Sequence, residues 1–339
     1  MGKTVAVFFG GPSNEHEISC LSAKTVISAL IQAGYQVLPI AVDLDLTWRH
    51  TPDAAGQLAS ITNRLPTTSD LSGGAISTIE ADVAFPVLHG AWGEDGGVQR
   101  ELTKLEIPYV GSNAAASELA MDKAETKKRL TEVGVRVVQA IAVSRDDWQE
   151  HLSQIESLGV NLFVKPRHGG SSLGVTHVKS DKEIPSALEK VFQLTDQALV
   201  EVAVQAPREI EIGVLQHPDQ RLQISVCGEI KLKSGFDFYD YQAKYLADGA
   251  ELIVPAKLND LESSEFAAIA EKSFNTLGCA GLARVDFLLA NDGSIYLNEV
   301  NTMPGFTSIS MYPRMFAASG VSLPTLVSTL VEHGVKANR

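Results

Sequence analysis

Cysteine is scarce in this chain: Cys20, Cys227 and Cys279 are the only three in 339 residues. Their number is odd, they lie far apart, and no Cys-x-x-Cys spacing joins them. That excludes a disulfide framework and points to a reduced, cytoplasmic compartment. Positive charge is short as well. There are 28 Lys and Arg against 41 Asp and Glu, a formal net charge of −13. A general nucleic-acid or anionic-membrane binder needs a basic footprint and is excluded, so a phosphate-bearing ligand has to be met by a few local cations. No run approaches the roughly 18 uninterrupted apolar residues of a membrane span. The apolar stretch near the N-terminus is too short for a secretion signal and reads as a buried first strand. Internal repeats and low-complexity tracts are also missing. Gly10-Gly11 is no Gly-x-Gly-x-x-Gly, which argues against a nicotinamide dehydrogenase.

What is present is an ordinary globular composition, 45% hydrophobic and 20% charged, in a chain long enough for two or three domains. Val5 to Phe9 predicts a buried strand, Glu15 to Ala33 a helix stopped at Gly34, and Tyr35 to Val42 and Asp82 to Leu88 further strands. This alternation is that of a parallel α/β sheet. Ligands approach the carboxyl ends of such strands, where Glu15 and His89 fall. Asp122 to Arg129 opens a charged helix and a second domain. Asn161 to Lys165, the loop 167–174 and Val175 to Val178 read as strand, glycine-serine turn, strand. Ala198 to Val204 reads as a strand leading through Pro207 into Glu209 to Gln216, and a long connection runs between Ile224 to Leu232 and Glu251 to Val254. The aromatic connection 234–249 reads as a lid. The expected domains are 1–120, 121–207 and 208–339, with the lid at 234–250.

The richest stretch is Leu282 to Asn301. Asn291-Asp292-Gly293 signals a tight turn, and with Asp292-Gly293 as its two central residues Asp286 falls opposite Glu299, with Asn301 two residues on along the same face. Facing carboxylates repel, so a neutralising cation is the natural reason to keep them. Oxygen ligands of this kind suit Mg²⁺ beside a nucleotide phosphate; a chance acidic pair on a wet sheet is the plain alternative. Arg284 shares that face, either as a stabiliser of a developing oxyanion or as the structural partner of Asp286. Leu288, two residues on, offers an apolar floor for a purine.

Lys165-Pro-Arg-His-Gly-Gly-Ser-Ser-Leu-Gly174 carries its lysine before the glycines, unlike a Walker A loop, and the β-branched residues after it make it the cap of a hairpin. Its backbone N–H groups can cover phosphates while Lys165 neutralises them, unless it is simply a turn. Lys123 is the other candidate cation. Glu201 and Glu209 flank an apolar strand, where one carboxylate can accept from a ribose hydroxyl. Gly305 and Ser310, in the Pro-Gly turn after Asn301, can present a backbone N–H and a hydroxyl to a small carboxylate.

Taken in order, Gly10 to Ser19, Leu88-His-Gly90 with Gly93-Glu-Asp-Gly96, Met121-Asp-Lys123, Lys165-Pro with Gly170 to Gly174, Tyr239-Asp-Tyr-Gln-Ala-Lys-Tyr245, Arg284-Val-Asp286 and Glu299 to Gly305 resemble the D-alanine-D-alanine ligases. The resemblance runs from about residue 5 to residue 310. It implies an α/β, ATP-grasp architecture with a Rossmann-like N-terminal domain, and a cytoplasmic homodimer that joins two D-alanines with ATP through an acylphosphate. It implies two Mg²⁺ ions, with Mn²⁺ as a substitute, on Asp286, Glu299 and Asn301. Lys123, Lys165 and Lys244 would contact phosphate, Glu201, Val204 and Leu288 the adenine, and Glu209 the ribose. Glu15, Ser171 and Tyr245 would close over the first amino acid near His89, while Arg284, Gly305 and Ser310 would hold the second carboxylate or the oxyanion. Tyr245 favours D-alanine over D-lactate as the second substrate. Two departures stand out: Arg100 follows Gln99 where glycine is more usual, and the stretch Glu201 to Glu209 is one residue longer. The competing reading is a related carboxylate-amine ligase with another small amino-acid or hydroxy-acid substrate.

Overall fold

The computed structural model describes residues 2–76, 78–233 and 249–337, in three sheets. The first contains β1 (Thr4–Gly10), β2 (Gln36–Val42), β3 (Trp48–His50), β4 (Gly74–Ala75) and β5 (Val83–Pro86), in the order β4-β3-β2-β1-β5. β1 runs parallel to both β2 and β5, as the alternating pattern predicts, while β3 and β4 extend the edge antiparallel. Helix α1 (His16–Gln32) follows β1. It ends where Gly34 takes a left-handed φ of 90°, with Gly34 N donating to Ile31 O and Tyr35 N to Leu30 O. Those bonds satisfy carbonyls that the helix end would otherwise orphan. The short helix α2 (Ala54–Ser60) packs on α1, and α3 (Gly97–Lys104) and α4 (Ala114–Met121) lead out of the sheet.

Helix α5 (Lys123–Glu132) opens the next segment, capped by Asp122, which accepts from the backbone N–H groups of Ala124 and Glu125. The second sheet, β6 (Ala140–Ser144), β7 (Leu162–Pro166), β8 (Thr176–Val178) and β9 (Gln197–Val202), is antiparallel in the order β6-β9-β7-β8. Helices α6 (Leu152–Ser157) and α7 (Ile184–Phe192) bury Ile155, Leu188 and Phe192 against Leu162, Val164 and Val200. The glycine-serine loop does cap the β7–β8 hairpin.

The third sheet holds β10 (Arg208–Gln216), β11 (Leu222–Ile224), β12 (Gly228–Leu232), β13 (Ala250–Ile253), β14 (Leu282–Leu289) and β15 (Ile295–Asn301). Its order is β13-β12-β10-β14-β15, with β11 on β10. Helix α8 (Asp260–Thr276) seats Phe266, Ala270 and Phe274 on the face carrying Val285 and Phe287. Between Leu222 and Leu232 the chain forms two strands, β11 and β12, rather than one. Ser225 is the physical reason: its hydroxyl accepts from Gly213 N at 2.8 Å and donates to Val226 O, replacing ladder bonds with side-chain bonds. Helix α9 (Met311–Ala318) lies close over this break. A Cβ on Gly213 would come within 2.7 Å of Phe316, and one on Gly228 within 2.2 Å of Met311. Helix α10 (Leu323–Ala337) then returns to α1, burying Leu326, Val327, Leu330 and Val331 in the same core as Val26, Ile27 and Leu30.

The hairpin corrects one expectation while keeping its consequence. Ala290 N bonds Ser294 O and Gly293 N bonds Ala290 O, with Gly293 at φ 82°, so the turn has three residues rather than two. Near the turn this shifts the register by one: Leu289 faces Ile295 and Phe287 faces Leu297. A bulge at Asn298 shifts it back, and Asp286 faces Glu299 as the two-residue turn had implied. Without the bulge, strict alternation would put Glu299 on the α8 side with Leu297 and turn Val300 away from it.

Candidate functional site

Two clefts share a wall between the sheets. One is lined by Glu15, His89, Glu94, Arg284, Asn301, Gly305 and Ser310, the other by Phe163, Lys165, Glu201, Glu209, Asp286 and Leu288. Lys123, Gly169, Gly170, Ser171, Glu211, Ile230 and Glu299 line both. The expected residues thus come together, apart from Val204, which is half-buried in the connection after β9. Lys244 and Tyr245 lie outside the described residues.

The wall's centre is a rung of three carboxylates. β10 pairs with β14 so that Glu211 faces Asp286, and β14 pairs with β15 so that Asp286 faces Glu299. One rung on, Gly213, Arg284 and Asn301 align. Arg284 donates to both oxygens of Asp286, at 2.7 and 2.6 Å, and stands 3.3 Å from Glu211. Burial opposes its charge, but Asp286 and Glu211 hold the guanidinium pKa well above its ordinary value. The positive partner of Asp286 here is therefore Arg284, the structural alternative read from the sequence. No group of three His, Cys, Asp or Glu among the described residues is gathered tightly enough to form a metal cage. The donor chemistry nonetheless fits a hard divalent cation: oxygens only, from three carboxylates on one rung and the side-chain amide of Asn301 on the next. Glu211 was missed from the sequence, although its spacing of two from Glu209 puts both on one strand face.

In the second cleft, Lys165 ion-pairs with Glu201 Oε1, and Lys127 Nζ stands 3.2 Å from Glu201 Oε2. All three are buried: Glu201 is 4%, Lys127 5% and Lys165 8% exposed. Burial raises the Glu201 carboxyl, but the ammonium groups of Lys165 and Lys127 reverse the shift and hold it at about 2. Burial lowers the pKa of both Lys127 and Lys123, with nearby carboxylates opposing it. Glu209 faces Leu288 across the β10–β14 ladder. Lys127 was not singled out from the sequence; its place one turn after Lys123 on α5 is the signal that was there.

The glycine-serine loop is tied down on two sides. Arg167 donates to both carboxylate oxygens of Asp122, at 2.7 and 2.6 Å, which joins the loop to the start of α5. Lys123 Nζ donates to Gly169 O, and Ser171 Oγ donates to Glu15 Oε1. Ser171 and Ser172 hold left-handed φ values of 50° and 56°, a strained choice for residues with a Cβ.

Around His89, Ser22 Oγ and His89 Nε2 are 2.8 Å apart, and Phe306 N donates to Ser22 Oγ at 3.2 Å. His89 Nδ1 is 3.8 Å from Glu94 Oε1, which accepts from Asn301 Nδ2 at 3.5 Å. Ser310 Oγ accepts from Thr307 N at 2.9 Å, and a Cβ on Gly305 would meet it at 2.8 Å. Glycine at 305 thus leaves the hydroxyl room in the turn. The cysteines take no part: all three are buried, and burial pushes the Cys227 and Cys279 thiols up to about 12.

Among the described residues no single helix is long and apolar enough to cross a membrane. Residues 4–112 match the family model described as D-ala D-ala ligase N-terminus, and residues 130–332 the one described as D-ala D-ala ligase C-terminus. A D-alanine–D-alanine ligase of Mycolicibacterium gilvum is 42% identical over 353 aligned positions, covering 97% of this chain and 96% of the relative. One of Mycolicibacterium smegmatis is 41% identical, covering 98% and 96%. Among solved structures, the VanG D-Ala:D-Ser ligase of Enterococcus faecalis superimposes with a TM-score of 0.85 at 30% identity, over 98% of this chain and all of that one. The D-alanine–D-alanine ligase of Coxiella burnetii gives 0.84 at 32%, over 99% and 95%. With both family models matched in order and relatives aligned over nearly the whole length, the chain belongs to the D-alanine–D-alanine ligase family and has its ATP-grasp fold.

Proposed function

We propose that the protein joins two D-alanine molecules with ATP, giving D-alanyl-D-alanine, ADP and phosphate for peptidoglycan synthesis, as a homodimer in the cytoplasm. The observation that carries this reading is the shared wall: a lysine-rich cleft and a small cleft meet at Lys123, Ser171 and the Glu211–Asp286–Glu299 rung. A triphosphate in the first cleft brings its terminal phosphoryl group to an amino acid in the second. In the first step the γ-phosphoryl group passes to the carboxylate of one D-alanine, forming an acylphosphate and ADP. The amine of the second D-alanine then attacks the acyl carbon, and phosphate leaves with the bonding pair.

Lys123 and Lys165, with Lys244 from the lid, hold phosphate oxygens. Glu201, Val204 and Leu288 border the adenine, and Glu209 takes the ribose. Asp286, Glu299 and Asn301 would hold two Mg²⁺ ions, or Mn²⁺ in their place; when bound, such cations supply positive charge to the phosphate oxygens. Glu15 meets the first ammonium group, with Ser171 and Tyr245 closing over it and His89 beside it. Arg284, Gly305 and Ser310 hold the second carboxylate or the oxyanion. The segments 1–120, 121–207 and 208–339 act as the amino-acid, phosphate and metal parts, with the lid at 234–250 excluding water, since an acylphosphate hydrolyses readily.

Incubation with ATP, Mg²⁺ and D-alanine should release ADP in proportion to dipeptide. ADP release indifferent to D-alanine would refute the reading. D-serine and D-lactate as second substrates, scored by the product formed, separate this activity from that of related ligases.

A further inference from the structure

We propose that Ser22 is a positioning residue that fixes the tautomer of His89 and ties it to the turn carrying Gly305. Ser22 lies on α1, is completely buried, and touches neither cleft. Its hydroxyl oxygen sits between two groups from different parts of the chain, Phe306 N at 3.2 Å and His89 Nε2 at 2.8 Å.

The direction of these bonds follows from which atoms hold protons. A backbone N–H can only donate, so the Phe306 amide uses a lone pair of Ser22 Oγ. The serine proton is left to find an acceptor, and among the described residues Nε2 of His89 is the one in reach. Nε2 therefore accepts. A neutral ring then carries its proton on Nδ1, the nitrogen facing Glu94 Oε1 and the small cleft. His89 so held presents a donor, not an acceptor, to that cleft and to the carboxylate that also receives Asn301 Nδ2. The amide of Phe306 immediately follows Gly305, so the same hydroxyl sets the ring and the turn relative to each other. Substitution of Ser22 would release both at once. This inference rests on the ligase reading only for its kinetic consequence.

The test has a spectroscopic arm and a kinetic arm. Long-range proton–nitrogen spectra of the full chain, labelled with ¹⁵N-histidine, distinguish the two tautomers, and His89→Gln identifies its signals among the eight histidines. The expected result is a His89 with unprotonated Nε2 and protonated Nδ1, and a shift toward the Nε2–H form in Ser22→Ala. In the steady state, Ser22→Ala should raise KM for D-alanine about tenfold, as loosening a supporting shell does, with KM for ATP unchanged. A merely structural serine would move both constants or neither. An Nε2–H ring in the unsubstituted protein overturns the proposal even if Ser22→Ala does not fold. An unaltered His89 spectrum or D-alanine KM in a folded Ser22→Ala overturns it too. The spectra need no substrate, so a protein without ligase activity refutes the proposed function while the tautomer still judges Ser22.

Discussion

Glu201 holds one negative charge between two buried ammonium groups, and that arrangement has a pH signature. Its carboxyl sits at about 2, below its ordinary 4.5. A depressed acid contributes stability that is fully present above its unfolded pKa and is lost as pH falls through the folded one. Thermal denaturation between about pH 5 and pH 2 should therefore show a steeper loss in the natural protein than in Glu201→Gln. Parallel curves would mean that the lysines do not hold the carboxylate. Glu201→Ala at neutral pH should cost about 3–5 kcal/mol in urea unfolding, because two buried lysines lose their counterion. At the acidic rung the effect belongs to turnover instead. Asp286→Asn or Glu299→Gln should lower kcat by roughly a hundredfold or more while leaving the circular dichroism spectrum intact. A variant of normal rate would remove that rung from the chemistry.

Among the elements, the start of α5 and the glycine-serine loop are held by the same carboxylate, and two substitutions separate its duties. Asp122→Asn keeps a cap as good as the original but gives up the charge paired with Arg167. Asp122→Ala loses both, and should be less stable than Asp122→Asn by about 1 kcal/mol. Hydrogen exchange across 167–174 should speed up in both variants; unchanged protection would show that the loop does not depend on this anchor. The hairpin beside it shows what local sequence can and cannot tell. Asn291-Asp292-Gly293 correctly marks a turn, yet the same residues serve a two-residue or a three-residue loop, and the choice shifts every pair by one. The Asn298 bulge has no composition of its own, since it follows from placing Ile295, Leu297 and Val300 inside while Glu299 and Asn301 stay out. The facing of Asp286 and Glu299 was legible only because the two departures offset each other.

Over the whole molecule, strands such as β1, β2, β5, β7 and β9 and helix α1 were legible because apolar periodicity is local, whereas the short β3, β4, β6 and β11 and the assembly were not. Helix α10 packs against α1, some 300 positions earlier, and an amphipathic face states that it is buried without stating against what. The clusters around Glu201 and Ser22 stayed hidden for a related reason, as their partners come from separate elements. The separate parts do converge on one electrostatic problem. A triphosphate entering the lysine-lined cleft approaches three carboxylates on one rung, with the Arg284 guanidinium beside them. Lysines 123 and 165 attract the nucleotide and the rung repels it, so a divalent cation should decide the balance. ATP with Mg²⁺ at a hundredfold excess over Kd should add about 2.7 kcal/mol of apparent stability in thermal-shift titrations, because only the folded protein binds it. ATP with EDTA should add much less. If the rung is the cause, Asp286→Asn combined with Glu299→Gln should narrow that difference, since the repulsion that the cation overcomes is gone. Equal stabilisation with and without Mg²⁺ in the unsubstituted protein would mean that the lysines alone hold the phosphates and that the acidic rung binds no metal.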